Sequence, residues 1–193
     1  MTRRTLDLIF SIGGLAIAIL VLVLGLILQN QANFAHNYVK AQLTEQQITF
    51  TPTAGLKPNE NAACLKANAG KPLETGKQAE CYANHYIALH LSELNGGKTY
   101  SQSSNDLRAM PDQNSAEAKA LSAKVDTLFR GETLRGLLLT SYGFSIFGDR
   151  AQTAAYVCYV LAGVLLLASI AGFVHAATKG ADRTILESSS SQE

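Results

Sequence analysis

The chain lacks most of the signatures by which enzymes announce themselves. It contains no G-x-S-x-G, no P-loop, no G-x-G-x-x-G and no paired C-x-x-C. The motif-borne cases for a hydrolase nucleophile, a bound nucleotide, a dinucleotide and a zinc ribbon therefore fall away. It has no Asn-x-Ser/Thr sequon and no internal repeat. It also lacks an excess of charge of either sign: 16 Lys and Arg stand against 15 Asp and Glu, a formal charge of +1, so there is no electrostatic footprint for nucleic acid.

Charge is missing altogether from two long stretches. Leu8 to Leu28 carries no charged side chain, and Ala154 to Ala177 contains no Asp, Glu, Lys or Arg. A bilayer core of about 30 Å needs roughly 20 helical residues at about 1.5 Å each, so each run is long enough to span it. In lipid the backbone must satisfy its own hydrogen bonds, and both runs therefore read as helices. The opening "MTRRTLDLIF" also resembles the start of a twin-arginine export signal. That match fails at Asp7 and Leu8, the apolar run is long and rich in Leu, Ile and Val, and no A-x-A cleavage site follows. An anchor is the better reading.

Arg3 and Arg4 flank the first run, and the next basic residue is Lys40. That asymmetry predicts a cytoplasmic N-terminus, with the two arginines as the topological lock. Two spans then return the C-terminus to the same side. The expected organisation is a cytoplasmic N-terminus (1–7), a first transmembrane helix (8–28), an extracytoplasmic helical domain (29–150), a second transmembrane helix (154–177) and a disordered cytoplasmic tail (178–193). The fold class is mainly α: a membrane helical hairpin with a small, mostly helical extracytoplasmic domain between its two transmembrane helices.

Within the segment between the runs, "NFAHNYVKAQLTEQQ" places Phe34, Tyr38, Ala41 and either Leu43 or Glu45 at helical spacing, which continues the first helix outward as a stalk. "ITFTP" reads as a short extended segment ending at Pro52, and residues 52 to 75 as loop. Thr75 and Gln78 fit a capping box, followed by the face Ala79, Ala83, Tyr86, Ile87, His90 and Leu94 and a stop at Gly96-Gly97. "KTYSQSSNDLRAMPDQNS" reads as polar and mobile. Asn114 with Glu117 suggests the next N-cap, before a stripe of Ala118, Leu121, Val125 and Leu128, with Gly131 as a bend. Leu134, Leu137, Leu138 and Tyr142 follow as a face for partner helices, and Phe144 and Phe147 as headgroup contacts.

Several residues stand out as candidates. Cys64 and Cys81 fall in the exterior segment, where an oxidising compartment makes them a candidate bridge worth roughly 3 kcal/mol; the alternative is two free thiols. Cys158, inside the second run, is a small packing residue. Gly14 and Ala18 make a small-xxx-small pair, and Ala168, Gly172 and Ala176 a longer one, through which helices can approach closely. In an antiparallel hairpin Asp7 and His175 reach the same level and are a candidate polar pair. His85 and His90 diverge by about 140° on their helix and cannot readily share a metal. The expectation is therefore no catalytic residue, no metal and no cofactor.

Three stretches, "QLTEQQITF", "TGKQAECYANHYIALHL" and "TLRGLLLTSYGFSIFG", resemble a family of two-span membrane proteins from actinobacteria, in an order that covers nearly the whole chain. Members of that family often bear an automated label as aromatic ring-opening dioxygenases. Such chemistry uses non-haem iron on two histidines and a carboxylate, and no such cluster is visible in this sequence. The resemblance implies an architecture and carries no activity. The function expected is non-enzymatic: an accessory or scaffolding subunit of a larger membrane or cell-envelope complex, or a homo-oligomer, in contact with membrane lipid and with no nucleic acid. The alternative is an extracytoplasmic ligand-binding or sensing protein, with Tyr82, Tyr86 and His90 as its pocket.

Overall fold

A computed structural model describes residues 3–178 of the chain; the side chain of Arg3 and the tail expected to be disordered, from residue 179 on, lie outside the described residues. The described residues are mainly helical, with no strand among them. Two helices dominate, α1 (Arg3–Glu45) and α6 (Ala116–Thr178), and each contains a stretch long and apolar enough to cross a membrane. Between them lie α2 (Ala63–Asn68), α3 (Gly76–Cys81), a π-helical turn (Tyr82–Ile87), α4 (Ala88–Glu93) and α5 (Tyr100–Arg108). The described residues form two compact units: 3–33 together with 149–178, and Phe34–Gly148.

In the first unit the apolar parts of α1 and α6 run antiparallel. Asp7 meets His175, Ser11 meets Gly172, Gly14 meets Ser169 and Gly25 meets Tyr159, so one number falls as the other rises. The residues turned inward on α1 are Ser11, Gly14, Ala18, Val21 and Gly25; on α6 they are Ala155, Cys158, Ala162, Leu165, Ser169, Gly172 and Ala176. Steps of three and four alternate on both helices, the spacing of a coiled-coil seam. A methyl group at Gly14 would lie 2.7 Å from Ser169 Oγ, and one at Gly172 would collide with Ser11 Oγ. Each glycine thus receives a serine from the facing helix. Those hydroxyls donate to their own helices, Ser11 to Asp7 O at 2.7 Å and Ser169 to Leu165 O at 2.8 Å, so neither of the two is orphaned.

Ala168 does not belong to this seam. It is exposed, and Ser169 takes the place expected of it. Two successive steps of four residues drift by about 80° around a helix, whereas a three and a four together drift by only about 20°. Ala168 therefore sits at the exposed edge of the interface, beside the crevice that Ser11, Gly14 and Ser169 line. Ser169–Gly172–Ala176 stays in the interface.

The second unit has a core of larger side chains, among them Val39, Leu43, Phe50, Leu65, Leu73, Ile87, Leu91, Leu128 and Leu138. Leu43, not Glu45, is the α1 residue that turns inward. Residues 48–50 are extended and pair with 70–73 through a single antiparallel bridge, Thr49 to Pro72, with Phe50 N–H donating to Lys71 O at 3.0 Å. Thr75 and Gln78 close the capping box that opens α3. Cys64 and Cys81 are disulfide-bonded, tying α2 to α3 with their Cα atoms 6.0 Å apart.

Three expectations are corrected here. Residues 52–75 are not all loop, because α2 lies inside them; it is short and starts without a side-chain cap, so no sequence signal marked it. The stretch from Lys98 to Ser115 is not simply a mobile segment: Thr99 and Gln102 form a second capping box and launch α5, which buries Ser103. The cap before α6 is Ser115, whose Oγ accepts from Ala118 N–H at 3.1 Å, while Asn114 N–H bonds to Asp112. At Gly131 the helix is unbroken, since α6 continues through it, and a side chain there would strike Leu91.

Candidate functional site

The helix from Gly76 to Glu93 carries the densest chemistry in the second unit. Its buried row is Ala79, Ala83, Ile87 and Leu91, strictly four residues apart. Such a row drifts by about 40° per step in an α-helix. The π turn at Tyr82–Ile87 rotates fewer degrees per residue and so holds the row in line. On the neighbouring face it lines up a ladder of rings. Phe50 meets Tyr82 edge-on at 5.3 Å, Tyr82 stacks on Tyr86 at 4.7 Å, and Tyr86 meets His90 at 4.4 Å.

Glu60 closes the end of the ladder. Its side chain is 2 % exposed, with Oε1 3.1 Å from His90 Nε2 and Oε2 accepting from Lys57 N–H at 3.0 Å. The other ring nitrogen, Nδ1, lies 2.8 Å from Tyr86 O. A carbonyl can only accept, so Nδ1 carries a hydrogen and donates. Both nitrogens of His90 are therefore engaged, and neither offers a free lone pair to a metal or a substrate. His85 is exposed on the same helix. Among the described residues no three His, Cys, Asp or Glu side chains are grouped to hold a metal ion. Tyr82 is no better placed as a base: burial first, and then Tyr86 and Glu60 beside it, push its phenol up to about 12.

A second feature of the same unit is an open groove of about 350 Å³ between Tyr38–Gln46 of α1 and Leu134–Phe144 of α6. Its walls include Tyr38, Leu43, Leu134, Leu137, Leu138 and Phe144, and no charged side chain lines it. Thr140 and Ser141 also line it, but their hydroxyls donate to Gly136 O and Leu137 O of their own helix. Leu137 and Phe147 are 62 % and 74 % exposed. A concave apolar surface is thus present here.

In the first unit Asp7 and His175 are brought together, with His175 Nδ1 2.9 Å from Asp7 Oδ2 and both side chains partly exposed. Gly14, Ala18, Gly172 and Ala176 lie in the seam and Ala168 outside it. Cys158 packs near Gly25, and Arg4 is exposed. Three residues that matter had drawn no notice in the sequence. Ser11 and Ser169 are the seam's partners for glycine; both sit on the three-and-four spacing, which was the signal to find them. Glu60 lies in "PNENAA", where no periodicity distinguishes a buried carboxylate from an exposed one. Comparison of the chain with protein-family models, with curated proteins and with solved structures gives no match.

Proposed function

We propose that this chain is an integral membrane protein of two spans that serves, without catalysis of its own, as an accessory or scaffolding subunit of a larger membrane or envelope assembly. One observation carries the membrane part. The apolar windows of α1 and α6 are only 17 % and 11 % buried, and Ile9, Phe10, Leu20, Leu24, Val160, Leu167 and Val174 face outward. A soluble protein buries such helices, whereas lipid accepts them. Arg3 and Arg4 favour a cytoplasmic N-terminus, which puts Phe34–Gly148 outside the cytoplasm, where the Cys64–Cys81 bridge is at home.

The subunit part is supported by the uncharged groove and the exposed Leu137 and Phe147 beside it, an apolar surface of the kind that partners cover. The test is a mild-detergent purification of the tagged full chain from its native membranes with quantitative mass spectrometry. Recovery of a second protein in fixed stoichiometry is expected, and Leu137→Glu should release it. Recovery of the chain alone overturns the subunit reading. The same groove then favours the alternative, an extracytoplasmic protein that binds a small apolar ligand.

A further inference from the structure

Between Phe50 and Leu65 a single residue is buried, and it is the carboxylate Glu60. The polar contacts that fasten residues 51–62 to the helix behind them are few. Glu60 faces His90 Nε2, Lys57 N–H donates to Glu60, and Asn59 Nδ2 donates to Glu93 one turn beyond His90. The segment's apolar contact is slight: Ala62, at its end, packs partly buried against the core. A buried carboxylate holds it only while a proton donor faces it.

We propose that residues 51–62 form a proton-gated strap, latched by Glu60 on His90 and closing against the Tyr82–Tyr86–His90 ring ladder. The gate follows from the donors. Nδ1 is committed to Tyr86 O, so a neutral His90 turns the lone pair of Nε2 toward Glu60. A carboxylate facing a lone pair is repelled. With Nδ1–H held by Tyr86 O, the contact requires one further proton on the pair, on the imidazole or on the carboxyl; without it the strap stays latched only if the ring gives up Tyr86 O and takes the Nε2–H tautomer. A second proton, added at low pH, leaves the contact intact, since Nε2–H still donates to the carboxyl oxygen.

The groups around the latch come from each neighbouring element. Glu60 and Lys57 belong to the strap, Tyr82 and Tyr86 to the π turn, and Glu93 to α4, where Asn59 occupies it. Tyr82 remains uncharged throughout the range of the switch. No basic side chain among these contacts faces Glu60 as a substitute donor. Release would free His90 Nε2 at the end of the ladder, so the device would control access to that ring.

The test is hydrogen exchange of the 51–62 peptide in the full chain, in detergent or nanodiscs, corrected for intrinsic exchange, from about pH 6 to about pH 9. Wild-type protection is expected to fall about tenfold over that range while protection of α3 holds. Glu60→Gln supplies an amide that donates to neutral Nε2, so its strap should stay protected throughout. A flat wild-type profile, or an equal fall in Glu60→Gln, overturns the proposal. Should that variant fail to fold, ¹⁵N NMR of histidine in the wild type decides. A docked strap with His90 in the neutral Nε2–H form overturns the latch, and the Nδ1–H form with a released strap supports it.

Discussion

The two units of this chain are built from the same kind of helix and packed by opposite rules. The first unit keeps its small residues inside, glycine against serine and alanine along a seam, and turns Leu, Ile, Val and Phe outward. The second keeps large side chains inside, with Phe50, Leu65, Leu73 and Leu128 buried, and adds a disulfide. In water the larger side chains supply the driving force, about 25 cal/mol per Å² of apolar surface hidden. In lipid that force vanishes between helices, and close backbone approach takes its place. The two cores are thus packed on different terms, and substitutions should affect them differently.

The largest expected effect is confined to the second unit. Replacing both Cys64 and Cys81 by serine removes a cross-link that closes a loop of 17 residues, at a cost of about 3 kcal/mol in the chain-entropy model. Thermal unfolding should shift down by about 10 °C or more. Hydrogen exchange should rise within Phe34–Gly148 and stay unchanged along the Ser11–Gly25 seam. Equal loosening of both units would erase the distinction between them.

Next in size is a paired test of the first unit. Gly172→Leu drives a side chain into Ser11 and should destabilise the helix pair by about 2 kcal/mol, the usual cost of overpacking. Ala168→Leu adds the same bulk one helical turn away, on the exposed face, and should cost almost nothing in a bilayer. Disulfide trapping between cysteines placed at Gly14 and Ser169, where a Cβ at Gly14 would lie 3.9 Å from that of Ser169, reads the seam directly. If the two leucine variants behave alike, the three-and-four seam is wrong and the expected four-residue stripe returns.

A smaller effect tests how far the sequence could have been read. The Thr75–Gln78 capping box was legible because an apolar helical face followed it. Thr99–Gln102 has the same T-x-x-Q pattern, but the helix it opens is polar, and periodicity gave no support. Thr99→Ala should cost about 1 kcal/mol and fray α5 alone, seen as loss of amide protection from Tyr100 to Asn105. The apolar runs were legible for the opposite reason, since the absence of charge over twenty residues leaves few alternatives. The seam was half legible: Gly14, Ala18, Gly172 and Ala176 follow from size, but choosing Ser169 over Ala168 requires the partner helix. The π turn and the burial of Glu60 depend on tertiary contacts that a single chain pattern does not encode.

The smallest effect belongs to Tyr82, and its sign is fixed. An ordinary phenol ionises near 10, and in the fold that of Tyr82 is pushed up to about 12 by burial, with Tyr86 and Glu60 adding to it. Above pH 10 the unfolded chain loses this proton first, so the contribution to stability is present below about 10 and is lost as pH rises toward about 12. Absorbance at alkaline pH should show one tyrosine titrating later than the others, and Tyr82→Phe should remove it. The same variant should flatten the alkaline fall in stability of the second unit while leaving the helix pair untouched, because Tyr82 packs within the second unit and belongs to that unit's proton balance alone. A late-titrating tyrosine that survives Tyr82→Phe would place the most shielded phenol elsewhere and remove Tyr82 from the foot of the Glu60–His90 latch.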